Sequence, residues 1–275
     1  MKKYTSAARM PLWKWILCLL GGLLLFSFLY GIFQLVTDLP ANPWLRMLLS
    51  LVAALLGLLL YAIWTNLTER RPVMELTLKR TWGDLGLGLL LGTLYFGCVV
   101  GLMALGRCYA ISGAQFNVLP QVEAFLGFLF VAVFEEVIFR GVLFRLIDDR
   151  WNTVVALIVS ALVFGFMHLP NPGATVWSSI AIAVEAGLLL GAAYKYSGTL
   201  WLPIGIHWAW NYVQGNVLGF AVSGVPILDK VFSPVITGPD WVTGGIFGAE
   251  ASVPAVVMGV LLTAILLFAR KRDVR

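Results

Sequence analysis

Runs of about 20 apolar residues recur along this chain, each long enough at about 1.5 Å per residue to cross a hydrocarbon layer of about 30 Å. Eight such spans are expected, at about 13–36, 44–66, 84–106, 122–147, 153–169, 175–195, 199–220 and 252–269. With 60% apolar and 12% charged residues over 275 positions, the chain has too little polar surface for a water-soluble fold of this length. The expected fold is all-α, a polytopic membrane helix bundle of about eight transmembrane helices. The first run follows Lys2, Lys3 and Arg9 as a signal peptide would, but it is too long and lacks a small-residue cleavage site, so it reads as a retained anchor. No internal repeat or linker divides the chain, and 1–275 is expected to be a single membrane domain.

The net charge of +5 does not point to nucleic acid, because the basic residues fall in short clusters between the apolar runs. Alternate segments hold 16 of the 19 Lys and Arg, and the intervening loops hold only Arg46, Arg107 and Lys230. By the positive-inside rule both termini are expected to be cytoplasmic, and the clusters are expected to be topology signals rather than partner sites. Trp13, Trp15, Trp44, Trp82, Trp151 and Trp201 lie near span ends, as in an interfacial belt. Cys18, Cys98 and Cys108 have neither the number nor the spacing of a disulfide framework or a thiolate metal site. One long segment, 221–251, is rich in Gly and Pro and is expected to be an ordered connecting loop, with a cap or re-entrant segment as the alternative.

Ionisable side chains deep in a membrane helix are expensive and therefore functional by default. They concentrate in the second half of the chain: Glu135, Glu136 and Arg140 in span four, His168 at the end of span five, Glu185 in span six, and His207 with Asn211 in span seven. Glu136 and Arg140 are four apart and are expected to pair on one helix face. Glu135, rotated by about 100° from its neighbour, is left without that partner. Counted along ideal helices from Arg150 and Thr153, Glu135 and His168 each lie about 22 Å from the same surface. His207 and Asn211, one turn apart, come out at about 10 and 16 Å from Leu200, a start made uncertain by Pro203.

A desolvated carboxylate beside an imidazole can take a proton from water, and a second imidazole with an amide can hold the oxyanion formed when that water adds to an amide carbonyl. The set Glu135, His168, His207 and Asn211 thus fits peptide-bond hydrolysis. A covalent route is disfavoured, since no Ser or Cys falls within these motifs. The competitor is a zinc hydrolase with Glu135, His168 and His207 as ligands, although the two-His, single-helix zinc motif is absent and Asn is a poor zinc ligand. A cofactor-free mechanism is favoured. Singly, each of these residues has a bland reading: Glu136–Arg140 as a self-neutralising pair, and His or Asn as interhelical hydrogen-bond partners.

In order and spacing, Glu135-Glu136-x-x-x-Arg140, Phe164-x-x-x-His168 and His207-x-x-x-Asn211 resemble the CAAX-protease and bacteriocin-processing family, also called CPBP or Abi, of intramembrane endopeptidases. The resemblance covers about 120–220, with Ser197–Asn211 similar to the third motif and its preceding turn. It implies a bundle enclosing a conical intramembrane cavity. It also implies water activation by Glu135 and His168, an oxyanion hole of His207 and Asn211, and orientation by Glu136 and Arg140, with Glu185 supporting from outside the three motifs. Partners would be a membrane-associated peptide or protein substrate and the lipid bilayer, with no nucleic acid. The short loops and compact length suggest a bacterial plasma membrane. Two other classes are weighed: a non-catalytic bacteriocin-immunity or partner-binding membrane protein, and an ion-coupled transporter, against which the absence of an inverted repeat argues.

Overall fold

The computed structural model describes residues 10–269. Lys2, Lys3, Arg9, Arg270, Lys271, Arg272 and Arg275, which enter the charge count above, lie outside the described residues. The chain forms α1 (Leu12–Asp38), α2 (Pro43–Glu69) and α3 (Thr81–Leu105), then a short strand β1 (Tyr109–Ala114). Helix α4 begins as Val118–Glu136 and continues without a break through a π-helical stretch, Val137–Phe144, into Arg145–Arg150. α5 is Thr153–Phe166, and α6 is Val176–Ser197, π-helical over Ala183–Gly187. α7 runs from Trp201–Tyr212 into π-helical Val213–Val217. Strand β2 (Phe232–Ile236), a four-residue helix α8 (Asp240–Thr243) and α9 (Val253–Phe268) complete the order.

The boundaries have local causes. Asn42 caps α2 through its side chain, which accepts from the Trp44 and Leu45 amides with Pro43 at the first position, and Asn152 caps α5 in the same way. Thr175 and Ser178 form a reciprocal capping box at α6, which ends at left-handed Gly198.

The helical membrane bundle expected from the apolar runs is present. Four helices are long and apolar enough by themselves to cross a membrane: α1, α2, α3 with its preceding turns (Met74–Leu105), and α6. The other expected spans differ for physical reasons. α5 has 14 residues and rises about 21 Å, short of a full crossing. α4 carries Glu135, Glu136, Arg140 and Arg145, and α7 passes from α- to π-helix at residue 213. Large side chains such as Leu17, Leu24, Phe28 and Leu35 stand exposed along α1, a surface suited to acyl chains and not to water.

The most extensive helix contact is between α3 and α7, and it is a close one. A Cβ on Gly205 would lie 2.6 Å from the Leu85 carbonyl oxygen and 3.0 Å from the Gly88 Cα, so only glycine lets the two backbones approach this closely. This contact fixes α7, and with it His207, against the rest of the bundle.

Two features depart from the sequence expectations. β1 and β2 pair antiparallel, Tyr109 opposite Ile236 and Ala114 opposite Phe232, tying the segment after α3 to the long loop. Trp15, expected in the interfacial belt, is buried, and its Nε1 donates to the Leu146 carbonyl at 3.0 Å. Trp13, Trp44, Trp82 and Trp151 are exposed.

The basic clusters are also more than topology signals. Arg145 donates to Glu69 (2.8 and 2.5 Å) and, through Nε, to the Gly141 carbonyl (2.8 Å), while Arg71 pairs with Glu69 and Glu75. The Tyr61 hydroxyl lies 2.6 Å from Glu75 Oε1 and 2.9 Å from the same Gly141 carbonyl. A π-turn displaces carbonyls from their α-helical partners. Here the buried Gly141 carbonyl is taken up by an ionic network joining α2, the α2–α3 connection and α4.

Candidate active site

The π-helical stretches adjoin the functional side chains. Glu136 is the last α-helical residue before the first stretch and Arg140 lies within it, Glu185 lies within the second, and Asn211 is two residues before the third. Such one-residue insertions re-aim side chains and are common at functional sites. The expected ion pair forms: Arg140 Nη1 donates to Glu136 Oε1 at 2.9 Å, with both side chains fully buried. Arg140 Nη2 lies 3.2 and 3.4 Å from the Gly187 and Ala186 carbonyls, and the guanidinium carbon sits 4.6 Å from the Phe164 ring centroid. The pair is therefore braced by both α5 and α6.

Glu136 has a second partner that helical spacing could not reveal. His207 Nδ1 lies 2.9 Å from the same Oε1, so Nδ1 donates to the carboxylate and Nε2 is left to face the cavity. On that side His207 Nε2 is 3.8 Å from Glu135 Oε2. Glu135 is thus not isolated: the Tyr30 hydroxyl donates to its Oε1 at 3.4 Å, while its buried Oε2 has no hydrogen-bond partner.

His168 lies in the turn just past the end of α5, not on the helix as its depth count assumed. Its Nδ1 is 2.8 Å from the Phe164 carbonyl and donates to it, which leaves Nε2 as the proton-accepting atom. The Phe164 ring stands between the imidazoles, with centroids 5.0 Å from His168 and 6.0 Å from His207.

Glu135, His168, His207, Asn211 and Glu185 all line one cavity of about 560 Å³. Glu185 is fully buried on α6. The Tyr95 hydroxyl lies 2.5 Å from its Oε2 and 2.8 Å from the Ala255 carbonyl, while its Oε1 has no hydrogen-bond partner. Among the described residues, no three His, Cys, Asp or Glu side chains are grouped as a metal site would need.

Two lining residues escaped the sequence reading. Tyr30 comes from α1, 105 positions from Glu135. Glu250 comes from the segment before α9, and its Oε1 accepts a short hydrogen bond from the Ser223 amide. Burial pushes Glu250 up to about 7, against the opposing pull of the Ser223 amide. The 221–251 segment is an ordered loop that also covers one side of the cavity. Val222 and Val225 close a tight turn over Ser223 and Gly224, both at positive φ, and the Asn171 amide donates to the Ser223 carbonyl at 3.1 Å. Val222, Ser223, Val225 and Ile227 all face the cavity.

Fold and cavity together define a polytopic helical membrane protein with a polar chamber of acid, imidazole and amide groups inside the bundle. Residues 117–213 match the family model described as Type II CAAX prenyl endopeptidase Rce1-like, a match consistent with the CPBP family. It reaches from the residue before α4 to the first π-helical residue of α7 and includes all three motifs. The match and the apolar helices support a membrane-embedded protease. No curated protein and no solved structure matches the chain.

Proposed function

We propose that this chain is an intramembrane endopeptidase that hydrolyses a peptide bond of a membrane-associated peptide or protein with a water activated by Glu135 and His168. The observation that carries the proposal is the convergence of Glu135, His168, His207 and Asn211, from three separate parts of the chain, on one cavity inside the bundle. Water gives a proton to the Glu135 carboxylate or to His168 Nε2 and adds to the scissile carbonyl carbon. The oxyanion that forms is held by the Asn211 amide and by His207 Nε2, which donates when the ring carries both protons. Collapse breaks the C–N bond, the abstracted proton passes to the leaving nitrogen, and the products are a carboxylic acid and an amine.

Glu136 and Arg140 act through His207. The shared Glu136 oxygen holds Nδ1, fixes the ring plane and stabilises the positive charge that an Nε2 donor requires. Metal-free chemistry is part of the proposal. We place both termini on the cytoplasmic side, from the distribution of the basic residues, and the chain in a bacterial plasma membrane, from its short loops.

The test is Glu135→Gln in purified, detergent-solubilised protein. Cleavage of a reporter peptide should fall by about 10³-fold with thermal stability retained. Cleavage at the parental rate would refute the assignment of the base. Elemental analysis of the active preparation, joined to a chelator challenge, tests the metal-free part: stoichiometric zinc lost together with activity would overturn it.

A further inference from the structure

The cavity holds more acid than the hydrolytic set uses, and further acid lines the cavity beside it. Besides Glu135, it is lined by Glu185 and Glu250, and none of its lining residues is Lys or Arg. A second cavity, also of about 560 Å³, shares the lining residues Gln34, Phe128, Val131 and Ile227 with it, so the two adjoin across these side chains. Its charged lining residues are Asp38, Glu123, Asp229 and Arg46. Arg46 is engaged by Glu123 at 2.6 Å. Across the two linings carboxyl groups therefore outnumber guanidinium groups six to one, in a chain whose net charge is +5.

A collection of acids is not in itself a site. The independent observation is Glu185. It is fully buried, yet it faces the cavity, and its Oε1 has no hydrogen-bond partner. A buried polar atom without a partner is costly unless something supplies one, and a donor arriving through the cavity would. The same lining offers no Lys or Arg to a carboxylate, which would meet Glu135, Glu185 and Glu250 outside the oxyanion hole.

We propose that the cavity selects a peptide segment bearing a basic side chain next to the scissile bond, attracted by the acidic cavity alongside and held by Glu185 and Glu250. This deepens the endopeptidase reading and rests on it. An ammonium or guanidinium brought against Glu185 supplies the missing donor, and its charge favours ionised Glu250. Because the low-dielectric setting magnifies charge complementarity, the preference arises in binding before any chemistry.

The test uses the full-length protein in neutral detergent and three fluorescein-labelled decapeptides identical except for Lys, Ala or Glu at the positions flanking one central bond. Anisotropy is read in the Glu135→Gln background, so that binding is measured without turnover. The Lys peptide should bind about 10-fold more tightly than the Ala peptide and the Glu peptide more weakly than either, with the Lys advantage shrinking as salt is raised. Glu185→Gln and Glu250→Gln should each reduce the Lys-to-Ala ratio to about 3 or less. Equal binding of the three peptides, preference for the Glu peptide, no binding of the Lys peptide, or a Lys preference that survives the double substitution would overturn the proposal. Cleavage of quenched forms by the parental protein separates the two readings. Cleavage without charge preference sinks the basic-segment site and spares the peptidase, whereas Lys-selective binding without cleavage sinks the peptidase and spares the site.

Discussion

Removing the charge of Glu136 tests whether the buried pair is structural ballast or part of the chemistry. In Glu136→Gln the Arg140 guanidinium stays fully buried with two carbonyl contacts at 3.2 and 3.4 Å and the Phe164 ring at 4.6 Å, but with no anion against it. Breaking one side of a buried pair costs about 3–5 kcal/mol. The carbonyls and the ring keep the expected loss near the lower bound, at about 3 kcal/mol. Arg140→Met leaves Glu136 with His207 as its sole partner and should cost a similar amount.

The double variant Glu136→Gln/Arg140→Met buries no charge there, and the amide oxygen introduced in place of the carboxylate can still accept from His207 Nδ1. Its stability should return to within about 1 kcal/mol of the parent, a coupling of about 5 kcal/mol in the cycle when each single variant costs about 3. Equilibrium unfolding in mixed micelles measures this. Peptide cleavage should not recover in step: without the carboxylate the His207 charge is unsupported, and the double variant should remain about 10²-fold slow. Additive stabilities would refute the pairing argument. Parental cleavage by the double variant would refute the positioning of His207 by Glu136.

Two further outcomes follow from packing and from pH. Gly205→Leu places its Cβ against the α3 backbone, 2.6 Å from the Leu85 carbonyl oxygen, so the α3–α7 contact should open, with a stability loss of about 3 kcal/mol or more and loss of monodisperse protein by size-exclusion chromatography. Glu250 has an ordinary value of 4.5, raised to about 7 in the folded chain. The folded chain therefore holds this proton more tightly than the unfolded chain does, and stability falls by about 3 kcal/mol as pH rises from the ordinary value through the raised one. Glu250→Gln should flatten that slope in unfolding measurements between about pH 5 and 8, and an unchanged slope would show that another group is responsible.

What the sequence made legible was local. Glu136 to Arg140 and His207 to Asn211 are one-turn spacings, and a helix period suffices to place each pair on one face. The long apolar runs declared the bundle for the same reason. The missed contacts are those between residues far apart in the chain. Tyr30 and Glu250 carry no motif, and only folding brings them to the cavity wall. In the sequence Arg145 looks like any other arginine of a basic cluster, and only folding brings Glu69, 76 positions away, against it. The β1–β2 pair is only six and five residues long, too short to announce itself among apolar runs. His168 was placed in the correct chamber from a wrong local premise, since the helix supposed to carry it stops two residues earlier.

The three widened helical turns also bear on how such a chain can vary. Each one sets the azimuth of an adjoining acid, arginine or amide by the number of residues in the turn, not by their chemistry. Excising a single codon within 137–144 would let that turn relax to ordinary winding and would re-aim the side chains within it, Arg140 among them. Length along these three segments should therefore be held more strictly than composition: apolar exchanges there would be absorbed, while one-residue gaps or additions would dismantle the chamber.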